Sequence, residues 1–435
     1  MKQEIAKLKP TGDKTVRVQG WVDSVRNQKS IQFLIIRDRS GKVQVTIKRE
    51  NSPEIATTVE TLLRDSTVTI EGRIVEAPNV KLGGIEIIPT KLEVTSHALV
   101  SPIDEKSGLD LQLDYRWLDL RDPKKIAYFQ IQTEVLKAMR DWFVQNGFIE
   151  IMTPKLTGHS TEGGAEVFEV KYYDKKAYLT QSPQLFKQMA IAGGFERVFE
   201  IGGNYRAEKS YTSRHSTEFF ALDVEMGFIN DEHDVMDVEE AMLRYIMETV
   251  AKTCKHLFAE LGIEPPSFPT SKFPRMTLLE SYALLERERG YIVPKAAKGD
   301  LDPEGERLLC EIAKEKYNCD AIFITNFPSS ARAFYIQRLD DSKPKVTRGF
   351  DLLYRGVEIT SGGQREHNPE RLVANLAEKG IPAENMQFYI DFFRYGCPPH
   401  GGFALGIARL VAKMLNLPSV KDTTFLFRGP ERLSP

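Results

Sequence analysis

Five short segments rich in β-branched residues lie close together near the N-terminus, and they constrain the fold of this chain more than any other feature. In several of them apolar and polar residues alternate, as in a strand with one buried face. One helical stretch, from Pro53 to about Leu63, separates the third segment from the fourth. Five strands with a helix at this place predict a small closed barrel of the OB type, a fold that often binds single-stranded nucleic acid. The segments are Thr15–Val22, Ile31–Arg37, Lys42–Lys48, Ser66–Val75 and Gly84–Val94.

A second domain is predicted to follow this barrel. Residues from Ser96 to Arg121 are polar and poorly periodic, which indicates a linker. Asp122 and Pro123 then supply an N-cap and a proline at the first helical position, and apolar residues recur at helical spacing until Gly147. Beyond this helix, strand-like runs mix with helices without a regular βαβ repeat. This pattern favours an α+β domain built on a mostly antiparallel sheet flanked by helices.

The predicted organisation therefore has three parts. Residues 1–100 form the OB-fold barrel, residues 101–124 are a linker or hinge, and residues 125–435 form the second domain, with a mainly helical insertion at about 230–320. The strands predicted in the second domain are Ala177–Thr180, Val198–Ile201, Phe219–Phe228, Ala321–Thr325, Phe350–Tyr354 and Val357–Thr360.

Composition and charge exclude several classes of protein. Hydrophobic residues make up 41% and charged residues 28% of the 435 residues, which excludes a disordered chain. The net charge of -2 excludes a uniformly basic nucleic-acid binder, although residues 1–50 hold twelve basic residues against five acidic ones. Without a long apolar run or a hydrophobic signal segment, we expect a cytoplasmic protein. The four cysteines are scattered, which favours reduced thiols over a zinc site or a disulfide framework.

Four clusters contain more charge and glycine than a buried core tolerates. Taken alone, the first is a flexible turn followed by the start of an exposed helix. In the second, Arg206, Arg214 and His215 flank a turn between two strands and form a planar donor set suited to phosphate oxygens; an exposed hairpin with a ladder of salt bridges is the alternative. The clusters are Thr161–Gly164 with Gln181–Gln188, Tyr205–Glu225, Asp351–Arg365 and Pro398–Arg409.

The third and fourth clusters also allow two interpretations. Asp351 and Glu358, with Ser361, can converge on Mg²⁺ if the chain bends near Gly356, because this cation prefers oxygen ligands; surface ion pairs are the alternative. In Pro398–Arg409, glycines allow a backbone to approach a ligand, and an arginine at a helix start can contact a polyphosphate. The sequence has no Walker lysine motif and no GxGxxG, so neither a P-loop ATPase nor a Rossmann enzyme is supported.

In order and spacing, these clusters resemble the three signature motifs of class II aminoacyl-tRNA synthetases. Gly147–Pro154 resembles motif one, Tyr205–Phe219 resembles motif two, and Gly402–Arg409 resembles motif three. With its N-terminal barrel, the chain resembles the aspartyl, asparaginyl and lysyl subgroup, and within it the short aspartyl enzymes of archaeal and eukaryotic type. The resemblance covers the chain from Trp21 to Arg432.

The resemblance implies ATP-dependent activation of L-aspartate to aspartyl-adenylate and transfer to the 3′ end of tRNA(Asp). It leaves open whether tRNA(Asn) is also charged. Such a reaction needs no protein nucleophile, because positioning and charge neutralisation lower its barrier. The residues that the resemblance assigns to ATP are Arg206 at the α-phosphate, Glu208 and Phe219 at the adenine, His215 and Arg409 at the γ-phosphate with Arg214 nearby, and Glu358.

The resemblance also assigns an aspartate pocket and a metal site. Mg²⁺ bridging the ATP phosphates is implied as the cofactor. Among the residues assigned, Arg206, Arg409 and Lys187 are expected to be catalytic. The implied aspartate ligands are Glu162, Gln184, Lys187, Asp223, Ser361 and Arg365, and the implied metal ligands are Asp351, Glu358 and Ser361.

Outside the active site, the resemblance implies tRNA contacts on the barrel and a homodimer formed through motif one. Arg26, Phe33 and Gln44 match positions where the family stacks and hydrogen-bonds anticodon bases, and an aromatic platform beside polar groups suits unstacked bases. The alternative for Phe33 is the barrel core, because residues 33–36 are continuously apolar. Asp23 lies in the region where we expect the third anticodon base to be distinguished.

Two alternatives and one departure remain. An asparaginyl-tRNA synthetase shares the architecture, but Lys187 and Asp223 favour aspartate. A catalytically inactive paralogue that only binds RNA is the alternative from another class, and amino-acid-dependent ATP–pyrophosphate exchange would separate it from the enzyme. Ala408 stands where the family usually has an acidic residue before Arg409, which puts the orientation of that arginine in question.

Overall fold

The computed structural model describes residues 3–12, 14–158, 166–340 and 346–435. The chain divides into two compact units, residues 1–126 and residues 127–435. Within the described ranges, none of the helices combines the length and the apolar character that crossing a bilayer requires.

The first unit is a closed five-stranded barrel, as the sequence predicts. The strand order is β1-β2-β3-β5-β4, with β3 and β5 parallel and the other pairs antiparallel. The alternating residues Val43, Val45 and Ile47 all point into the barrel core, which is the burial that their spacing predicts. The elements are β1 (Val16–Asn27), β2 (Ile31–Asp38), β3 (Gly41–Lys48), α1 (Pro53–Glu60), β4 (Thr67–Glu76) and β5 (Ile85–Ser96).

The segment predicted as a linker contains ordered helices. Two short helices, α2 (Leu109–Asp114) and α3 (Arg116–Asp119), follow β5. The side chain of Arg116 is fully buried and forms an ion pair with Asp119. The low periodicity of the sequence here therefore reflects short elements held by buried charge rather than an absence of structure.

The helix predicted after Asp122 is confirmed as α4 (Pro123–Gln145). The backbone N–H of Lys124 donates to Asp122 Oδ1 at 2.9 Å, which caps the start of the helix. Beyond its end, Gly147 has a φ of +77°, a conformation that glycine adopts without strain. The boundary between the two units falls in the first turn of α4.

The second unit is built on an eight-stranded sheet, and the prediction of a mostly antiparallel sheet is confirmed. Its order is β12-β13-β14-β15-β16-β11-β10-β6, and only the outermost pair at each edge is parallel. A small sheet, β7-β9-β8, lies apart from it. The strands are β6 (Ile149–Glu150), β7 (Leu156–Thr157), β8 (Glu169–Tyr172), β9 (Lys175–Leu179), β10 (Arg197–Tyr205), β11 (Glu218–Gly227), β12 (Arg275–Thr277), β13 (Ala321–Thr325), β14 (Gly349–Tyr354), β15 (Val357–Gln364) and β16 (His400–Gly406).

Helices cover this sheet and supply much of its core. The segment predicted as a mainly helical insertion contains α6 to α9, and α6 buries Val235, Leu243 and Ile246 in the same core as the sheet residues Phe350 and Phe403. The helices are α5 (Gln184–Ala192), α6 (Glu232–Thr253), α7 (Lys255–Leu261), α8 (Leu278–Arg289), α9 (Pro303–Tyr317), α10 (Pro369–Glu378), α11 (Gln387–Arg394) and α12 (Ile407–Met414).

Strand β16 was not predicted, because its glycines indicate a loop. In the structure it lies in the middle of the sheet, between β15 and β11. A Cβ atom on Gly402 would lie 1.9 Å from the carbonyl oxygen of Val224 and 2.5 Å from Glu225 Oε2. Gly402 therefore leaves room for a neighbouring strand and a buried carboxylate. At this position the glycine serves the packing of the sheet.

Candidate active site and nucleic-acid interface

A cavity of about 960 Å³ opens over the central strands of the second unit. It collects side chains from the ends of β10 and β11, from β15 and from the start of α12, which are far apart in sequence. Lys187 and Asp351 lie just outside its lining, and Glu162 lies outside the described residues. The predicted site residues that line the cavity are Gln184, Arg206, Glu208, Arg214, His215, Phe219, Asp223, Glu358, Ser361, Arg365 and Arg409.

A planar slot is formed where β10 and β11 pair. Arg206 directly follows β10, and its guanidinium carbon lies 5.5 Å from the centre of the Phe219 ring on β11. Glu208 lies close to the same guanidinium, with 3.7 Å between Arg206 Nη1 and Glu208 Oε1. An aromatic face, a cation and a carboxylate thus meet in one place. This combination can hold a heteroaromatic base with an exocyclic amino group next to a phosphate.

The guanidinium of Arg409 at the start of α12 is held by backbone carbonyls. Nη1 donates to the carbonyl oxygen of Glu358 at 2.9 Å, and Nε donates to that of Arg214 at 3.3 Å. These two bonds orient the guanidinium without help from residue 408. The alanine at position 408 therefore leaves Arg409 in a defined position.

Arg214 and His215, the other two residues predicted near the ATP phosphates, have neighbours that change their hydrogen bonding or charge. Arg214 forms two hydrogen bonds with the carboxylate of Glu306 on α9, at 2.9 and 3.0 Å. Burial, and then the charge of Arg409, lowers the pKa of His215. At neutral pH, His215 is therefore a neutral hydrogen-bonding group, and the positive charge at this end of the cavity comes from the arginines.

The hairpin of β14 and β15 brings the predicted metal ligands to one side of the sheet. The chain reverses at Arg355 and Gly356, which have φ values of +46° and +83°. Asp351 pairs with Ser361, and a bulge in the ladder pairs Leu353 with Glu358. Asp351 and Leu353 are two residues apart on β14 and therefore face the same side of the sheet. Because cross-strand partners share a face, Ser361 and Glu358 lie on that side too. Burial, and then the charge of Asp351, raises the pKa of Glu358 to about 7.

Arg332 was missed by the sequence analysis. Its guanidinium forms an ion pair with Asp351 and donates from Nη1 to Ser361 Oγ at 3.0 Å. It also lies 3.6 Å from the centre of the Phe327 ring. Arg332 comes from an irregular loop, so no periodicity could have linked it to the hairpin. It compensates the charge of Asp351, whose other oxygen, Oδ1, is buried without a hydrogen-bond partner.

Two cations and two carboxylates form a buried network beside the cavity. Lys187 Nζ lies 3.1 Å from Asp223 Oδ1 and 3.5 Å from Glu225 Oε2, and Arg365 makes two bonds to Glu225, at 2.9 and 3.2 Å. Although burial opposes ionisation, the charges of Arg365 and Lys187 hold the pKa of Glu225 below its usual value. Lys187 and Arg365, the two cations predicted to bind the substrate carboxylate, thus each have an anionic partner within the protein.

Glu225 was not predicted as a site residue, although its position could have been inferred. Asp223 and Glu225 are two residues apart on β11 and therefore face the same side of the sheet. The bridging role of Glu225 between Lys187 and Arg365 could not have been inferred, since Arg365 directly follows β15 and Lys187 is on α5.

The predicted anticodon residues lie together on the barrel. Arg26 pairs with Phe33, and Phe33 pairs with Thr46, so Arg26, Phe33 and Thr46 form a row across β1, β2 and β3. Phe33 is partly exposed and is absent from the barrel core, to which its neighbour Leu34 belongs. Gln44 Nε2 donates to Thr46 Oγ1 at 3.1 Å. The surface therefore combines an aromatic ring with a cation and an amide.

Two acidic residues extend this surface. Glu86 Oε2, which was not predicted, accepts hydrogen bonds from Gln44 at 3.2 Å and from Thr46 at 2.5 Å. Asp23 is paired with Lys42 at 2.9 Å and with Arg37 at 3.5 Å. Both carboxylates therefore have partners, and a base that approached them would meet acceptors of fixed orientation.

The chain matches two protein-family models. The model described as "tRNA synthetases class II (D, K and N)" matches residues 108–428. The model of the OB-fold nucleic acid binding domain matches residues 16–95. Both matches agree with the fold and with the resemblance found in the sequence.

Known proteins resemble the chain over nearly its whole length. It is 44% identical to the aspartate–tRNA(Asp/Asn) ligase of Aeropyrum pernix, over 97% of this chain and 95% of the relative. It is 42% identical to the aspartate–tRNA(Asp) ligase of Pyrococcus horikoshii, over 97% and 96% of the two chains. Among solved structures, the asparaginyl-tRNA synthetase of P. horikoshii with asparaginyl-adenylate matches with a TM-score of 0.90 and 34% identity, covering both chains completely.

Proposed function

The chain belongs to the class II tRNA synthetases of the D, K and N group, and from this membership we propose that it activates L-aspartate with ATP and transfers the aspartyl group to the 3′ end of tRNA. The protein is an aspartate–tRNA ligase. The observation that carries this assignment is a cavity in which an arginine–phenylalanine slot lies near the buried network of Lys187 and Arg365 with Asp223 and Glu225. We also propose that the reaction takes place in the cytoplasm, as expected from the sequence.

The first chemical step is a displacement at phosphorus. An oxygen of the aspartate α-carboxylate forms a bond to the α-phosphorus of ATP, while the bond from that phosphorus to pyrophosphate breaks. The protein supplies no nucleophile, so it acts by holding the two reactants in line and by neutralising developing charge. In the second step a hydroxyl of the terminal ribose of tRNA attacks the anhydride carbonyl, and AMP leaves.

ATP lies in the slot and extends towards α12 in this proposal. Phe219 stacks on the adenine, Glu208 accepts from its amino group, and Arg206 binds the α-phosphate. Arg409 contacts the γ-phosphate together with neutral His215. The fixed orientation of the Arg409 guanidinium supports this role, because a pre-oriented donor loses little entropy on binding.

One feature of the β14–β15 hairpin, an unpartnered carboxylate oxygen, is compatible with a bound divalent cation. Asp351 Oδ1 is buried and has no hydrogen-bond partner, which leaves one oxygen available as a ligand. Asp351, Glu358 and Ser361 would hold Mg²⁺, which neutralises phosphate charge when it is bound. Within the described ranges, no group of three or more His, Cys, Asp or Glu side chains could hold a metal ion by itself, so ATP oxygens would have to complete the coordination.

Aspartate lies between this hairpin and α5. Arg365 and Lys187 attract its side-chain carboxylate, and Gln184 and Asp223 bind its ammonium group. Glu225 stabilises both cations, so that an incoming carboxylate meets positions that are already fixed.

Asparagine is the alternative substrate, and one observation favours considering it. The structural match to an asparaginyl-tRNA synthetase is close, and Asp223 with Glu225 offers acceptors for an amide N–H. We favour aspartate because a lysine adjacent to the pocket favours an anion. The relatives that support the assignment are named as aspartate–tRNA ligases.

The barrel binds the anticodon in this proposal, through Arg26, Phe33 and Gln44. Recognition of tRNA(Asp) follows from this assignment, while charging of tRNA(Asn) depends on the third anticodon base. The decisive experiment charges two transcripts that differ only at this base. Aspartylation of at least one transcript is expected, whereas charging of neither in the presence of active adenylate formation would contradict the assignment.

We also propose a homodimer formed through the edge strand β6. The segment around this strand exposes apolar side chains, namely Val144 (62% exposed), Ile149 (48%), Met152 (93%) and Leu156 (45%). A two-fold contact between two copies of this surface would bury them. Light scattering at micromolar concentration should give twice the mass of one chain, and the mass of a single chain would contradict the proposal.

A further inference from the structure

Behind Gln184 lies a buried line of hydrogen-bonded groups to which the proposed function assigns no role. Gln184 Nε2 donates to Gln188 Oε1 at 2.8 Å, one helical turn further along α5. Tyr389 on α11 donates its hydroxyl to the same oxygen at 2.8 Å. At the other end of the amide, Gln188 Nε2 lies 2.8 Å from His400 Nε2 on β16. Gln188, Tyr389 and His400 are fully buried.

The donor and the acceptor in each of these bonds can be assigned by starting from His400, the residue furthest from the cavity along the line. His400 Nδ1 lies 2.9 Å from the carbonyl oxygen of Pro398, which can only accept, so Nδ1 carries a proton. Burial lowers the pKa of His400 to about 4, so the ring is neutral and its Nε2 is an acceptor. The group that approaches Nε2 must therefore be the amide nitrogen of Gln188.

The same reasoning continues to the cavity. With its nitrogen on His400, Gln188 must present its oxygen to Tyr389 and Gln184. The Gln184 amide nitrogen, which donates to Gln188, then points away from the cavity. Gln184 lines the cavity, and its oxygen Oε1 is the atom that points into it. No described side chain donates a hydrogen bond to this oxygen.

We propose that Gln188, Tyr389 and His400 are positioning residues that fix the Gln184 amide with its oxygen towards the cavity, where it accepts a hydrogen bond from the ammonium group of the substrate. This proposal rests on the proposed function, since it needs an amino acid in the cavity. A glutamine that is free to rotate would present its NH₂ group part of the time, and NH₂ repels an ammonium. The buried line removes that wrong orientation before the substrate arrives.

The test compares two ligands that differ only in the ammonium group. L-Aspartate carries it, and succinate has the same two carboxylates without it. In Gln188→Met the side chain keeps its length but cannot accept from Gln184. We expect the dissociation constant of L-aspartate to rise about tenfold, as for a lost hydrogen bond to a charged group, and the inhibition constant of succinate to change less than about twofold. Gln387→Met, which removes the exposed bond from Gln387 to Asp391 on α11, is the matched control and should change neither constant.

Two further variants keep the result decisive. If Gln188→Met does not fold, Tyr389→Phe removes one of the donors to Gln188 and should show the same selective loss at smaller size. In a Gln184→Ala background, either change should add nothing to the loss for aspartate. Equal weakening of aspartate and succinate, or unchanged aspartate binding, would overturn the proposal. A wild-type protein that does not activate aspartate would instead contradict the proposed function.

Discussion

Glu239 shows how a single buried residue makes the stability of the fold depend on pH. It lies on α6 with no exposed surface, and a side-chain interaction with Thr360 offsets only part of the cost of burying its charge. Burial raises the pKa of Glu239 to about 8. The unfolded chain releases this proton near pH 4.5, whereas the folded chain keeps it to about pH 8. Stability is therefore lost as the pH rises between these two values.

Glu239→Gln should remove this pH dependence. At pH 7 the variant should be more stable to unfolding than the wild type by on the order of 3 kcal/mol, and the difference should vanish near pH 4.5. Urea unfolding at several pH values measures it. A variant whose stability follows that of the wild type at every pH would show that the carboxyl ionises normally in the folded state.

Lys187 should decide between aspartate and asparagine, which have nearly the same shape. Lys187→Leu should reduce aspartate activation by on the order of 10²-fold, with a much smaller effect on asparagine activation. Steady-state pyrophosphate exchange with both amino acids measures this. Lys155→Met, which removes a cation paired with Glu200 outside the aspartate pocket, should keep the preference. An undiminished preference in Lys187→Leu would remove Lys187 as the discriminating residue.

The residue types of the site could be predicted from the sequence, but their partners could not. Lys187, Asp223 and Arg365 were assigned through the resemblance to the family, and the structure brings them together in one network with Glu225. The pairing of both cations with Glu225 depends on contacts among three elements, which no local pattern encodes. Arg332 was missed for the same reason, because it comes from a loop without periodicity.

Among the elements, β16 shows where local propensity and tertiary packing disagree. Glycine is disfavoured in strands, so the sequence indicates a loop. The tertiary structure requires glycine because β11 and the carboxylate of Glu225 come too close for a side chain. The neighbouring strands β13, β14 and β15 were predicted because their buried apolar residues give the usual signal.

Gly402→Ala should therefore destabilise the second unit. The added Cβ would lie 1.9 Å from the carbonyl oxygen of Val224, and such overpacking costs about 1–3 kcal/mol or more. Thermal unfolding followed by circular dichroism measures the loss. Gly158→Ala, at a glycine where no atom of the described residues lies within 4 Å of the added Cβ, is the control, and an equal unfolding temperature for both variants would contradict the packing argument.

At the scale of the molecule, we propose that the two units divide the work between selection of tRNA and chemistry on the amino acid. The proposed anticodon residues all lie before residue 126, and the active-site cavity is lined only by residues after it. Phe33→Ala should weaken tRNA binding by roughly 1–3 kcal/mol, the worth of one stacked base, while exchange without tRNA stays unchanged. Filter binding and exchange assays measure the two effects. Loss of exchange in this variant would contradict the division.

Much of this organisation could be predicted from the sequence, since both the barrel and the antiparallel sheet have strong periodic signals. Segments with weak periodicity were harder, as the short helices within 101–124 show. There the buried pair of Arg116 and Asp119, rather than an apolar stripe, stabilises the local structure.

The most direct test of the account is ATP–pyrophosphate exchange by the wild-type protein with single amino acids and without tRNA. The account predicts exchange that depends on L-aspartate and is weaker with L-asparagine by several orders of magnitude, about 10⁴-fold for a site built around a charged group. Arg206→Ala should abolish the aspartate-dependent signal. Exchange that prefers asparagine, or no exchange with any amino acid, would contradict the assignment of this chain as an aspartate–tRNA ligase.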